Sequence, residues 1–275
     1  MLSKRQQAIL TMQQHAEMLQ CPLCKSSMKV ADSGQIVCEA SHSYDIAKQG
    51  YVYLLTKPMQ SMYSKELFEA RHDVIASGLY DEVQRAVAKY LKPGRVLDTG
   101  CGEGSHLVRI LGNRPECVGI GIDIAKEAIV AAAKFATGPI WCVGDLANSP
   151  YGEESFSSIL NFLSPANYEE FKRLLQPGGV VVKVVPEEGY LQELRMQAFA
   201  NSEKETYSNE QTVARFEENF DDITKERVTY TMPLEEELAQ KLMLMTPMGW
   251  HIENRSAVEL PSITIDVTIL VGTHK

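Results

Sequence analysis

The run Val96-Leu97-Asp98-Thr99-Gly100-Cys101-Gly102-Glu103-Gly104-Ser105-His106 constrains this chain more than any other stretch. Val96-Leu97 reads as the end of a buried strand, and Leu107, Val108, Ile110 and Leu111 open a helix after it. A strand, a glycine turn and a helix let backbone approach a bound ligand closely. The spacing is Gly-x-Gly-x-Gly, not the Gly-x-Gly-x-x-Gly that seats a pyrophosphate on a helix N-terminus. No Gly-Lys-Ser/Thr follows to hold a triphosphate. These features point to a nucleoside without phosphates. Asp98 sits at the carboxyl end of the strand. Asp123 ends a second apolar strand, Cys117 to Ile122, about 20 residues past the glycines, where an acid accepts hydrogen bonds from a ribose diol.

The rest of the chain supplies the layers around this turn. Ser64 to Ala76 and Tyr80 to Leu91 read as helices, each closed by a glycine signal. Ala125 to Ala136 is an alanine-rich helix, and Pro139 to Val143 a third strand ending at Gly144-Asp145-Leu146, where Asp145 is placed to accept from an adenine amino group. Phe156 to Phe162 is a fourth strand, Tyr168 to Leu175 a helix, and Val180 to Val185 a fifth strand. Glu187 to Ala200 is expected as a helix and 201–222 as a polar, acidic, exposed insertion. Arg227 to Met232, Leu234 to Leu244 and Thr264 to Val271 read as strand, helix and strand. Strand alternating with helix means an α/β fold with a parallel sheet and ligands at the strands' carboxyl ends.

A second pattern lies upstream, after an amphipathic segment at 2–19. Cys21-Pro22-Leu23-Cys24 is followed by Cys38 and His42, with a turn at Asp32-Ser33-Gly34 and a short strand between. Three thiolates and an imidazole make the closed tetrahedral set of a structural zinc. No βαβ pattern surrounds the Cys-x-x-Cys pair, which disfavours a redox role. A metal gives a small module the stability that its own core cannot. The tyrosine-rich run Ser43 to Leu55 then reads either as strands on the zinc hairpin or as a platform for unpaired bases.

Composition narrows the classes. With 275 residues the chain holds one large core or two domains. No apolar run reaches about 18 residues and no signal peptide opens the chain, so the expectation is a cytoplasmic protein with no membrane partner, whose six cysteines are not a disulfide framework. The net charge of −9 excludes a generic nucleic-acid coat. Residues 1–92 carry 11 Lys/Arg against 9 Asp/Glu, whereas the remainder carries 16 against 27, so any RNA contact is expected on the N-terminal third.

The glycine turn with Asp98 and Asp123 resembles motifs I and II of the class I S-adenosylmethionine-dependent methyltransferases. In that group, enzymes acting on adenine exocyclic amines carry Asn-Pro-Pro-Tyr at the end of the fourth strand. Here the run is Asn161-Phe162-Leu163-Ser164-Pro165, which weighs against that chemistry, and no cysteine stands there for covalent attack on a pyrimidine. Direct in-line displacement by nitrogen or oxygen remains.

Further matches extend the resemblance over nearly the whole chain. They are the Cys3His set; Asp45-x-Ala47-Lys48-x-Gly50-Tyr51-Val52-x-Leu54-Leu55; Ala70-Arg71; Gly78-x-Tyr80; Val96 to Gly104; Gln176-Pro177-Gly178-Gly179; and Met245-Thr246-Pro247 with Trp250. Together they resemble the ribosomal RNA large-subunit methyltransferase A family, which methylates N1 of a guanine in a 23S rRNA hairpin loop. The resemblance implies a Rossmann-like, seven-stranded, mostly parallel sheet over 93–275. It also implies an N-terminal zinc-binding RNA-recognition module over 1–56, helices covering the cofactor site over 57–92, and a homodimer. The cofactors implied are S-adenosylmethionine and a structural Zn2+. The expected cofactor contacts are Tyr80, Asp98, Gly100, Gly102, Glu103, Gly104, Asp123, Asp145, Leu146 and Tyr190. Asn161 and Ser164 are expected at the guanine edge, with Glu187 as proton acceptor. A small-molecule N- or O-methyltransferase and a noncatalytic RNA-binding protein are the competing classes.

Overall fold

The computed structural model describes residues 2–57, 59, 63–112, 114–200, 207–255 and 258–274. Helix α1 (Lys4–Gln14) begins at a capping box, in which Ser3 and Gln6 satisfy each other's backbone amides, and it buries Ile9 and Met12. Its Lys4 Nζ donates to the carbonyls of Ala133 and Lys134, and Arg5 Nε donates to that of Ile46 at 2.8 Å. The helix thereby ties the N-terminal hairpins to the main body. Strands β1 (Met28–Val30), β2 (Gln35–Cys38) and β3 (Ser43–Asp45) form a small antiparallel sheet.

Strand β4 (Tyr51–Tyr53) leaves that sheet. After α2 (Lys65–Ala76) and α3 (Asp81–Ala88) come β5 (Gly94–Thr99), α4 (Ser105–Leu111), β6 (Cys117–Asp123), α5 (Lys126–Phe135), β7 (Ile140–Val143) and β8 (Phe156–Phe162). Then follow α6 (Tyr168–Leu174), β9 (Leu175–Pro186), α7 (Gln192–Phe199), α8 (Glu210–Glu217), β10 (Asp221–Pro233), α9 (Glu236–Met245) and β11 (Ser262–Thr273). The large sheet runs β10-β11-β9-β8-β5-β6-β7-β4, parallel from β9 to β4, with β11 antiparallel to both of its neighbours. Seven strands come from the expected methyltransferase segment. The eighth is β4, which pairs Tyr51 with Trp141 and so extends the sheet instead of packing on the zinc hairpin. Tyr51 is buried there.

Along β5, Val96 faces one apolar core and Leu97 the other, as strand alternation requires. Every residue of β8 is buried. The strand order reverses at β5, which has β6 on one side and β8 on the other, so a crevice opens at its carboxyl end.

Two local expectations need correction. Residues 201–206 lie outside the described residues; most of 207–222 is exposed, as expected, but the stretch is anchored to the body rather than looped free of it. Helix α8 and the turn after it bury Phe216 and Phe220, whose rings meet Tyr168 at 6.0 and 5.6 Å. The helix expected from Glu187 starts only at Gln192, because Glu187 to Tyr190 close a turn and Leu191 takes φ 50°. Among the described residues, no helix is long and apolar enough to cross a membrane.

Candidate active site and metal centre

The metal set is assembled locally. The donor atoms of Cys21, Cys24, Cys38 and His42 all lie within 4.8 Å of one another. Cys24 and Cys38 sulfurs are 3.6 Å apart, and His42 Nδ1 lies 3.4 Å from Cys21 Sγ and 3.5 Å from Cys38 Sγ. A tetrahedron with Zn–S and Zn–N bonds of about 2.3 and 2.0 Å has edges of about 3.8 Å for S–S and 3.5 Å for S–N. The spacing and the donor chemistry therefore fit one zinc with no open position. Hydrogen bonds from Ser26 pull the Cys24 thiol down to about 6, toward the thiolate that binds metal.

The glycine turn forms the lip of a cleft of about 440 Å³ at the carboxyl ends of β5, β6 and β7. Gly100, Gly102, Asp123, Asp145 and Leu146 all line it. Gly100 holds φ +68°, and a Cβ there would stand 2.1 Å from Ser164 Oγ, so the turn and the loop after β8 need a glycine to meet. Gly104 has a different task. At φ +78° its missing Cβ makes room for the Trp141 ring, 2.2 Å from where that atom would be. It packs helix α4 on the sheet and does not line the cleft.

The acids divide in the same way. Asp123 accepts from the amides of Gly102 at 2.9 Å and Ala125 at 2.8 Å, and burial still raises its carboxyl above the usual range. A carboxylate offers about four lone-pair sites, so two remain for a diol. Asp145 spends Oδ1 on the amide of Ala147, capping a short 3-10 turn that carries Leu146 into the cleft. Asp98 lies below the turn, 1% exposed, and its Oδ1 has no hydrogen-bond partner, so burial pushes the carboxyl up to about 8. Glu103 is also buried and is held by Arg71 Nε at 2.7 Å. Arg71 is the one cation lining this cleft among the described residues, and that pairing leaves no free positive charge for a phosphate. An orphaned acid under the turn and free acceptor sites on Asp123 fit a nucleoside bearing an ammonium group, as S-adenosylmethionine does.

A larger cavity of about 710 Å³ adjoins the first across a shared wall of Leu163, Ser164 and Pro165. Leu163 takes φ 51°, which turns the chain sharply between the two spaces. Tyr80 and Tyr190, expected at the cofactor, line this larger cavity, and their hydroxyls meet at 2.7 Å. Ser164 lines both spaces.

Two of the three residues expected on the substrate side are placed elsewhere. Asn161 is fully buried beneath the wall. Its Nδ2 donates to Thr99 Oγ1 and to the Pro165 carbonyl, while its Oδ1 accepts from Lys183 Nζ. With its hydrogen bonds spent on protein, it braces the wall from within. Glu187 lines neither space; its carboxylate accepts from Thr268 on β11, because the turn after β9 aims it at the sheet.

Sequence reasoning missed Lys183 and His106, both on the larger cavity. Lys183 looked like one polar residue inside an apolar strand, and that irregularity was the available signal. His106 looked like a helix-start residue. It stacks on Phe162 with ring centroids 3.8 Å apart, and its Nδ1 lies 3.0 Å from Gln84 Nε2. Tyr63 and Trp250 also line the cofactor cleft, each partly exposed, with ring centroids 6.0 Å apart.

Comparison with known proteins adds to this geometry. A family model described as "RlmA, N-terminal" matches residues 19–65, and one described as "Methyltransferase domain" matches residues 96–179. The chain is 38% identical to the putative 23S rRNA (guanine-N(1)-)-methyltransferase YxjB of Bacillus subtilis, over 93% of this chain and 96% of that protein. It is 28% identical to the 23S rRNA (guanine(748)-N(1))-methyltransferase of Streptomyces fradiae, over 92% and 95% of the two chains. Among solved structures, the YcgJ protein of Bacillus subtilis aligns with a TM-score of 0.50 at 15% identity, over 70% of this chain and 97% of that one, which speaks for the fold alone.

Proposed function

Since the chain belongs to the RlmA family of 23S rRNA guanine-N1 methyltransferases, we propose that it methylates N1 of an unpaired guanine in an rRNA hairpin loop, using S-adenosylmethionine. One observation supports this reading above the others: two cavities, one acid-lipped and nucleoside-sized, the other roomy and aromatic, adjoin and share Arg71, Leu163, Ser164, Pro165, Met245 and Pro247 in their linings. When bound, the cofactor supplies a methyl group already activated by its sulfonium charge. Asp123 would hold the ribose diol with its remaining lone pairs, Asp145 and Leu146 the adenine, and Asp98 the ammonium end through the turn above it. Gly100 and Gly102 let backbone and ligand touch.

The neighbouring cavity would take the base. Tyr80 and Tyr190 offer hydroxyls to its polar edge, and His106, stacked on Phe162 of the cofactor cleft, presents its ring beside them. Ser164 stands where the two ligands would meet. A loop guanine is the cheapest to present, because no pairing has to be broken. Alignment of N1 behind the methyl carbon then supplies much of the rate.

The zinc module over 1–56 is read as the RNA-recognition part, with 57–92 covering the cofactor and 93–275 carrying the chemistry. A homodimer acting in the cytoplasm belongs to the same reading, and light scattering of the full chain tests the oligomer. The reaction itself is tested by incubating the protein with labelled methyl donor and unmodified 23S rRNA and mapping the modified base. N1-methylguanine in a hairpin loop is the expected product. Label on a small molecule in the absence of RNA, or no transfer at all, would replace this reading with a competing one.

A further inference from the structure

Guanine N1 carries a proton that must leave before its lone pair is free, so the larger cavity needs a group to receive it. Among the described residues, no carboxylate lines that cavity. The phenols of Tyr80, Tyr168, Tyr190 and Tyr207 are all held protonated by burial. Arg71 and Arg215 are cations with no lone pair to offer.

His106 is excluded by its hydrogen bonds. Arg109 Nε donates to Gln84 Oε1 at 3.1 Å, which fixes the amide so that Gln84 Nε2 donates to His106 Nδ1. The ring proton therefore sits on Nε2, and burial together with Arg71 and Arg109 keeps the ring neutral. Such an imidazole donates to the cavity and does not accept.

Lys183 remains. It stands on β9 with its side chain buried, in register with Asn161 of β8 and Leu270 of β11, neither of which titrates. Its Nζ donates to Asn161 Oδ1 and, at 2.9 Å, to the Ser164 carbonyl. A neutral amine has two hydrogens and one lone pair. With both hydrogens given to these two acceptors, the lone pair is left for the cavity that Lys183 lines. Burial lowers its affinity for a proton, bringing it to about 8, with no carboxylate opposing.

We propose that Lys183, in its neutral form, is the catalytic base that takes the N1 proton of the guanine. The inference rests on the N1 reaction proposed above. The N1–H bond breaks and its electron pair stays on N1, while the proton joins the Lys183 lone pair to give an ammonium. N1 then bonds the methyl carbon as the C–S bond breaks, and that electron pair stays on sulfur. The ammonium returns its proton to water once product leaves.

The test combines kinetics with a direct titration. Wild-type kcat should rise with pH, pass half its plateau near 8 and level off above that. Lys183→Met should lower kcat at pH 8 on the order of 10²–10³-fold and lose that rising limb, while affinity for S-adenosylhomocysteine is unchanged. A limb that persists in Lys183→Met overturns the proposal. Independently of activity and of whether the variant folds, competitive acylation of the full-length wild-type chain, read at Lys183 by mass spectrometry, should show a midpoint near 8. A midpoint closer to the ordinary 10.5 overturns the proposal. If wild type methylates no guanine, the reading of function fails instead, and the labelling midpoint still reports on Lys183.

Discussion

The metal cluster and the two cavities are built on opposite plans. The cluster draws four ligands from residues 21–42, around a small antiparallel sheet whose buried Met28 and Ile36 share a core with the main sheet. The cavities draw their walls from residues as distant as Tyr63 and Trp250, brought together by the largest core in the molecule. One region adds coordination bonds to burial, and the other rests on burial alone. Each should therefore fail under a different insult, and the failures should be separable.

The largest separation is expected at the metal. Cys24→Ser should release the zinc, which is expected at close to one equivalent per wild-type chain, and open the β1–β3 sheet to protease. The folding energy at stake is roughly 10–16 kcal/mol, the range for structural zinc in small modules. Elemental analysis and limited proteolysis check this. A wild-type chain that is metal-free and protease-resistant would erase the contrast.

The next effect belongs to the cavities and depends on pH. Asp98 has its carboxyl raised from 3.8 to about 8 by burial, so the folded state binds more protons than the unfolded state between those values. Stability without cofactor should therefore be fullest below about pH 4 as far as this group is concerned and fall as pH rises toward 8, by on the order of 4–6 kcal/mol. Asp98→Asn should flatten that slope, and added cofactor should also reduce it, because an ammonium partner favours the charged acid. Urea titrations at pH 5 and 8 would decide; equal slopes in wild type and variant would contradict the burial argument.

Gly104→Val tests packing without touching either ligand space. The new side chain meets the Trp141 ring at a positive φ, at a cost of roughly 2–5 kcal/mol seen in thermal unfolding, with zinc content unchanged. Asp123→Ala should have the smallest effect, about 1.5–3 kcal/mol of cofactor affinity by calorimetry. Part of that loss would come from the Gly102 and Ala125 amides left without their acceptor.

The same contrast explains what could be read in the sequence. Ligand spacing within 21 residues is a local fact, and the bounds expected for β8, Phe156 to Phe162, are those observed. The strand–turn–helix around Gly100 was legible because a backbone contact leaves its mark in glycines. Hydrogen-bond bookkeeping across strands leaves no such mark. Asn161 looked available at a strand end, but its register partner is Lys183, and the pair satisfy each other. Glu187 looked well placed after β9 until the turn pointed it at Thr268. The acidic stretch before Asp222 hid Phe216, whose burial depends on a sheet face formed by distant strands. Tyr51–Tyr53 gave no hint of which sheet it would join, since three residues suit either.

The most direct measurement is a crystal structure of the chain with S-adenosylhomocysteine. The account predicts the ribose at Asp123, the adenine beside Leu146 and the sulfur facing the Leu163–Pro165 wall, with the larger cavity open behind it. A nucleoside bound in the larger cavity, or an acid lip that makes no contact with the ribose, would contradict it.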